Sequence, residues 1–231
     1  MKKPICACRR AFKLLPAYVI VSFLWPTTVT RILTAADCNQ IGFPGERIPV
    51  VSFPSAVTIL DLNGDGWQDL VLPSATSATI QILLGSRDGS YQTQVLAAPL
   101  RAVSVAVADL NRDGRVDLAA ANAVSRSISV FLGLADGTFD RESRFPADDL
   151  SFQIVAEDFG SDGIFDLATV NSDSNQVALL RGNGDGTFQG AQVLAVGATP
   201  RQVAVADLDL DGHPDLVTAN SQSDDVSLLL G

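Results

Sequence analysis

The chain has few of the residues from which catalytic and redox sites are most often built. It contains one histidine and three cysteines among 231 residues. The single histidine, His213, argues against a histidine-based catalytic pair or zinc cluster. Cys6 and Cys8 lie in the first ten residues, so the rest of the chain has only Cys38. We therefore expect no internal disulfide in that larger part.

Aromatic and basic residues are also scarce. Aromatics make up 6% of the chain, too few for a platform that stacks bases or sugar rings. The formal net charge is −10, and six of the 16 basic residues lie in the first 31 residues, which contain no acid. The remaining residues carry 10 basic and 26 acidic groups. A surface this acidic repels nucleic acid and anionic lipid, so neither is an expected partner.

The N-terminal segment predicts export. Basic residues from Lys2 to Lys13 precede an apolar stretch from Leu14 to Trp25, and small residues follow at 34–36. This order is typical of a signal peptide, so we assign residues 1–36 to a signal and 37–231 to the domain. The apolar stretch is short for a membrane span, and an uncleaved signal anchor is the alternative. Both alternatives predict a secreted or cell-surface protein.

A ten-residue acidic stretch occurs four times, and we call each copy an Asp loop. The copies are DLNGDGWQDL from Asp61, DLNRDGRVDL from Asp109, DFGSDGIFDL from Asp158 and DLDLDGHPDL from Asp207. Carboxylates or amides at alternate positions place three oxygens on one side of a tight loop. Glycine at position 6 permits the turn, and Asp at position 9 closes the ring of oxygens. Hard oxygen ligands in this pattern predict calcium as the cofactor.

The sequence between the Asp loops predicts short strands and no helix. The loops start 48, 49 and 49 residues apart, a period typical of propellers and other repeat arrays. Apolar segments that end in glycine, such as Thr79–Gly85, are followed by an Asp-Gly turn and an aromatic residue, which is a hairpin signal. One such aromatic, Phe188, is predicted to open a strand that runs to Val196. Four short antiparallel strands per repeat predict an all-β fold, a β-propeller.

The two ends of the repeat region complement each other. Residues 41–52 have the pattern of a fourth strand without its blade, and the last repeat stops after its third strand, Val226–Leu230. Pairing these segments would close a ring of four blades and remove the open edges. A part of a larger ring, or a truncated chain, is the alternative.

The repeats resemble a known family. The pattern D-x-[DN]-x-D-G-x-x-D-L, followed by [FL]-L-G and D-G-[ST]-[FY], is similar to the FG-GAP (or VCBS) repeats, which form the integrin alpha-chain propeller and occur in many secreted bacterial proteins. The resemblance covers residues 41–231 and implies a propeller with calcium-binding loops. In that family, side chains at loop positions 1, 3, 5 and 9 and the main-chain oxygen at position 7 hold the ion.

The resemblance implies three to four calcium sites. The implied ligands, position 7 through its carbonyl, are Asp61, Asn63, Asp65, Trp67 and Asp69; Asp109, Asn111, Asp113, Arg115 and Asp117; Asp158, Asp162, Ile164 and Asp166; and Asp207, Asp209, Asp211, His213 and Asp215. The third loop departs from the pattern, because Gly160 at position 3 offers no side-chain ligand, and we expect weaker binding there. The fourth loop has four carboxylates and should bind most tightly. The alternative for every loop is an Asx-turn that hydrogen-bonds its own backbone.

These features together predict a binding or adhesion module for a protein or carbohydrate. The expected partner surface is formed by the turns opposite the Asp loops, which are Ser74–Thr79, Asn122–Ser127, Asn171–Asn175 and Asn220–Asp225. We expect no enzymatic activity and assign no catalytic residue, because the strands nearest the axis, such as Ala102–Ala108, offer almost no acid, base or nucleophile. A propeller domain of a carbohydrate-active enzyme and a purely structural spacer are the alternatives.

Overall fold

Short antiparallel strands account for the regular structure of every repeat. The computed structural model describes residues 48–50, 53–98, 101–147 and 151–231. The strands in these ranges are β1 Thr58–Leu60, β2 Asp69–Pro73, β3 Thr79–Gly85, β4 Tyr91–Ala97, β5 Ala102–Ala108, β6 Asp117–Asn122, β7 Ser127–Phe131, β8 Ser143–Pro146, β9 Ser151–Glu157, β10 Asp166–Asn171, β11 Gln176–Leu180, β12 Gln192–Ala195, β13 Pro200–Ala206, β14 Asp215–Asn220 and β15 Asp225–Leu229. No helix occurs in these ranges, as the sequence predicts.

Each repeat forms its own sheet, with strands in chain order. The first sheet is β1–β4, the second β5–β8 and the third β9–β12, and the fourth has only β13–β15. All pairs are antiparallel, and the register pairs Leu60 with Asp69 and Ala108 with Asp117, so an Asp loop joins the first two strands of each sheet. The predicted all-β propeller plan is confirmed, and among the described residues the last blade has three strands.

The hydrophobic core lies between successive sheets. Ile80 and Ile82 on β3 face the second sheet and pack against its Val105, Leu118 and Phe131. Corresponding clusters fill the spaces between the second and third sheets and between the third and fourth. Strand residues therefore alternate between two buried faces, which explains why the middle strands are apolar on both sides.

The outer strand of the third sheet, β12, is shorter than the sequence predicts. A strand is predicted from Phe188 to Val196, but β12 covers only Gln192–Ala195. Phe188 instead makes an isolated bridge with Gly182 and is 92% buried. Its ring meets Phe145 of the second sheet edge to face, with centroids 5.2 Å apart. The aromatic residue after the Asp-Gly turn thus fills the space between two blades, where packing outweighs strand pairing.

The four sheets form an open series. The second sheet packs against the first and the third, and the third packs against the fourth. Among the described strands, no comparable contact joins the fourth sheet to the first. Val226 and Leu228 on β15 are 67% and 52% exposed, whereas Val177 and Leu179, their equivalents on β11, are buried. Within the described ranges, the last sheet therefore lacks the covering that every earlier sheet receives from its successor.

Two predictions fall largely on residues outside the described ranges. The segment predicted to complete the last blade, 41–52, is described only at 48–50, where the chain is exposed and forms no strand. The predicted signal, residues 1–36, lies wholly outside. In the described part of the chain, no helix is long and apolar enough to cross a membrane.

Candidate metal centres

The four Asp loops lie at the same end of their sheets, because each joins the first strand to the second. Loop position 1 is held in the same way in every copy. The two oxygens of Asp61 accept hydrogen bonds from the amides of Asp65 (3.1 Å) and Gly66 (2.8 Å). The same pair of bonds recurs at Asp109, Asp158 and Asp207. The repeat in sequence is therefore a repeat in geometry.

Two loop positions have left-handed backbone. Glycine at position 6 has φ between 78° and 93° in the four copies, which confirms its predicted role in the turn. Position 4 is also left-handed, and three of its four residues are not glycine: Arg112, Ser161 and Leu210. The sequence gives no sign of this second requirement, because the residue type at position 4 varies.

Positions 3 and 5 form local hydrogen bonds of the Asx-turn type. In the first loop, Asn63 Oδ1 accepts from the amide of Asp65 at 3.0 Å, and Asp65 Oδ1 accepts from the amide of Trp67 at 2.8 Å. In the second loop, the carboxylate of Asp113 also pairs with the exposed guanidinium of Arg115. Each oxygen has a second lone pair, so these bonds are compatible with an additional cation. Hydrogen bonds of this type are common to both alternatives, the Asx-turn and the calcium site.

The Asp at position 9 is buried and connects the loop to the end of the third strand. Asp69 is fully buried, and its oxygens accept from the amides of Leu62 (2.9 Å) and Gly85 (2.7 Å). Burial raises the pKa of Asp69, and the charges of Asp65 and Asp61 raise it further, against the lowering effect of the two amides. The pKa of Asp117 in the second loop is raised for the same reasons. A positive charge nearby would stabilise the ionised form of these carboxylates and so lower their pKa.

A glycine at the end of β3, or within two residues after β7, β11 and β15, is required because the backbone of the Asp loop lies very close to it. A Cβ atom on Gly133 would lie 2.2 Å from the carbonyl oxygen of Val116, immediately before Asp117. The corresponding distances at Gly85, Gly182 and Gly231 are 2.3, 2.3 and 2.5 Å. These glycines let the backbone amide reach the buried carboxylate, which explains why glycine occupies this position in every repeat.

The fourth loop gathers three carboxylates closely. Ligand oxygens of Asp207, Asp209 and Asp215 all lie within 4.8 Å of one another, a cluster that could hold a metal ion. Desolvation and the charge of Asp211 raise the pKa of Asp209. Amide hydrogen bonds from Leu208 and Gly231 lower the pKa of Asp215, which favours its ionised form. The donor set is entirely carboxylate, the chemistry that suits a hard divalent cation.

Adjacent loops contact each other. His213 at position 7 of the fourth loop lies 3.2 Å, Nδ1 to Oγ, from Ser161 of the third. Gly186 in the turn of the third sheet donates its amide to the carbonyl of Leu110 in the second loop (3.2 Å). An open cleft of about 400 Å³ separates the first two loops and is lined by Asn63, Arg115 and Phe139 among others. The third and fourth Asp loops thus touch directly, and the second loop meets the Asp-Gly turn of the third sheet.

Sequence reasoning missed Arg181, which follows β11 and contacts the third Asp loop. Its Nη1 lies 2.7 Å from Oδ2 of Asp166, and the carboxylate is almost fully buried. The available signal was that the residue before the strand-ending glycine is leucine in the other three repeats, at Leu84, Leu132 and Leu230.

The chain is similar to a known repeat family and to several solved structures. A family of FG-GAP-like repeats matches residues 61–120 and 158–218, just over half of the chain. A lectin of Agrocybe aegerita that recognises non-reducing terminal N-acetylglucosamine is 18% identical over 78% of this chain and 53% of its own, with a TM-score of 0.54. A putative phosphatase from Bacteroides thetaiotaomicron is 14% identical over 83% of this chain and 50% of its own, with a TM-score of 0.52. The V. cholerae biofilm matrix protein Bap1 is 22% identical over 76% of this chain and 26% of its own, with a TM-score of 0.50.

At these identities the structural likeness shows the fold alone. The chain spans between 9% and 58% of the length of the first structures it resembles. No curated protein matches its sequence. The family match coincides with the Asp loops and the strands that follow them, in which the geometry repeats from blade to blade. The chain belongs to the family of proteins with FG-GAP-like repeats.

Proposed function

We propose that this chain is an exported, calcium-binding β-propeller module that binds a protein or carbohydrate partner. The observation that carries the proposal is the convergence of three carboxylates in the fourth Asp loop, at the sheet end that all four loops share. The loops resemble one another in hydrogen bonding, so the chemistry argued for one extends to those with the same ligands.

Calcium fits the side chains of three loops. Positions 1, 3, 5 and 9 of the first, second and fourth loops supply only carboxylate or amide oxygens, which are the ligands calcium prefers. A bound ion would neutralise acids whose pKa values are raised, such as Asp69 and Asp117, and would cross-link the loop to the buried end of the sheet. Because only the folded loop offers this arrangement, calcium would stabilise the folded state.

The partner surface in this proposal is the end of the sheets opposite the Asp loops. Its turns are polar and differ between blades, and rigid sheets present them side by side. Val124 in one turn is 53% exposed, so it offers an apolar contact within this polar surface. The fold is shared with a lectin and a biofilm matrix protein, which makes carbohydrate a sensible first ligand class to test.

The proposal includes no catalytic step. Among the first strands of the four sheets, which a propeller places toward its centre, only β9 contains a carboxylate, Glu157 at its end, whereas β5 and β13 have the sequences AVSVAVA and PRQVAVA. Neither strand contains a carboxylate, a histidine or a cysteine, the groups most often used for acid–base or covalent catalysis.

Binding can be tested with two variants of the second sheet. The whole chain, in calcium and in EDTA, is applied to a glycan array that includes glycans ending in N-acetylglucosamine. Val124→Asp alters the proposed partner surface, at the end of the sheet opposite the Asp loops. Leu134→Asp alters the end that carries the Asp loops, where Leu134 is 44% exposed. We expect calcium-dependent binding that Val124→Asp abolishes and Leu134→Asp preserves.

Two results would contradict parts of this proposal. Loss of binding in Leu134→Asp alone would place the partner at the Asp-loop end. Unchanged binding after calcium is removed would separate partner recognition from the metal.

A further inference from the structure

The third Asp loop differs from the other three in its charges, because it lacks one side-chain ligand and has an arginine beside it. Where they have Asp or Asn at position 3, it has Gly160. This glycine is outside the left-handed region, so the backbone does not require it. A Cβ atom there would lie 3.2 Å from Nη1 of Arg181 and 3.4 Å from Oδ2 of Asp162. Glycine therefore makes room for a guanidinium group within the loop.

Arg181 replaces a residue that is apolar in every other blade. The equivalent Leu84 is buried, and Leu132 packs against the core between the second and third sheets. The side chain of Arg181 is 39% exposed and turns toward the loop instead. Two departures from the repeat, Gly160 and Arg181, thus occur in one blade and meet at one point in space.

The guanidinium also changes the partner of the buried carboxylate at position 9. In the first, second and fourth loops, Oδ2 of this residue accepts from the amide of position 2, at 2.9, 2.8 and 2.7 Å. In the third loop, Oδ2 of Asp166 accepts from Arg181 at 2.7 Å, while Oδ1 keeps its bond to Gly182. A fixed positive charge is therefore bonded to a group that the family pattern makes a metal ligand.

We propose that the Arg181 guanidinium takes the place of a calcium ion in the third Asp loop. The loop has lost one ligand, and the positive charge bonded to Asp166 opposes entry of a divalent cation. The third blade would then be held together at any calcium concentration, while the other three loops respond to it. This inference rests on the proposed calcium binding of the other loops.

The test compares calcium stoichiometry in four forms of the whole chain. After chelation, the wild type, Arg181→Leu, the double variant Gly160→Asn/Arg181→Leu, and a reciprocal variant of the second loop, Asn111→Gly/Leu132→Arg, are titrated calorimetrically. Circular dichroism and melting in EDTA establish that each form is folded. We expect three equivalents for the wild type, four for the Gly160→Asn double variant and two for the reciprocal variant. Arg181→Leu alone should melt at a lower temperature in EDTA than the wild type.

The outcomes separate the two proposals. Four equivalents in the wild type would overturn the role of Arg181 and leave the proposed calcium binding standing. No calcium binding in any form would overturn both. If the double variant does not fold, the wild-type stoichiometry and the reciprocal variant still test the inference. Three calcium equivalents in the reciprocal variant, the same as in the wild type, would contradict it.

Discussion

Acidic residues in one Asp loop have two distinct physical roles. Asp117 at position 9 is fully buried and accepts from the amides of Leu110 (2.8 Å) and Gly133 (2.7 Å). Asp113 at position 5 lies at the exposed side of the loop, where it meets Arg115 and solvent. We infer that position 9 supports the fold with or without metal, whereas position 5 matters mainly when an ion is bound.

This difference predicts unequal losses of stability in EDTA for two alanine variants. Asp117→Ala leaves two buried amides without partners and should lower the free energy of unfolding by about 1–3 kcal/mol, in EDTA as well as in calcium. Asp113→Ala should change it by less than about 0.5 kcal/mol in EDTA and remove one calcium equivalent. Urea unfolding in both conditions measures the two effects. Equal losses for both variants in EDTA would contradict the assignment.

Two serines lower the pKa of Asp88, in the turn between β3 and β4. Hydrogen bonds from the side chain and amide of Ser90, and from the side chain of Ser86, lower the pKa of Asp88 from 3.8 to about 2. Since the folded state favours the ionised form, the turn gains stability above the ordinary pKa and loses it as the pH falls through about 2. Ser90→Ala should move the pKa back toward 3.8. NMR titration of the carboxyl carbon measures it, and a value near 3.8 in the unaltered chain would refute the effect.

At the scale of strands and turns, the glycine after each third strand is as important as the Asp it meets. Gly133→Ala would place a methyl group against the carbonyl of Val116, and we expect a loss of about 1–3 kcal/mol. Gly190 is a matched control, because it is exposed, has no atom within 4 Å of its Cβ position and is not left-handed. Gly190→Ala should change stability by less than about 0.5 kcal/mol. Chemical denaturation compares the two, and similar values would show that the close approach does not constrain residue 133.

The sequence predicts these local elements well and non-local ones poorly. Asp loops, Asp-Gly turns and third strands follow from residues adjacent in the chain, so their patterns are visible in one sequence. The late start of β12 depends on the contact of Phe188 with Phe145 in another blade. Arg181 was missed because its role depends on Gly160, which lies 21 residues earlier in the chain and is close to Arg181 only in the folded blade.

At the scale of the molecule, the open series of sheets has a measurable consequence. Leu179 and Leu228 occupy equivalent positions on β11 and β15, and they are 6% and 52% exposed. Leu179→Ala should cost about 2–5 kcal/mol, because it opens a cavity between the third and fourth sheets. Leu228→Ala should cost less than about 1 kcal/mol. Equal costs in denaturant unfolding would indicate that the last sheet is covered in solution, as a closed ring requires.

The most direct test of the account is a calcium titration of the whole chain after chelation, followed by calorimetry and thermal melting. We predict three equivalents and a clear rise in melting temperature, since an ion present at 100 times its Kd stabilises the folded state by about 2.7 kcal/mol per site. Absence of both heat and melting shift would contradict it. The Asp loops would then be Asx-turns, and the resemblance to calcium-binding blades would extend to the fold alone.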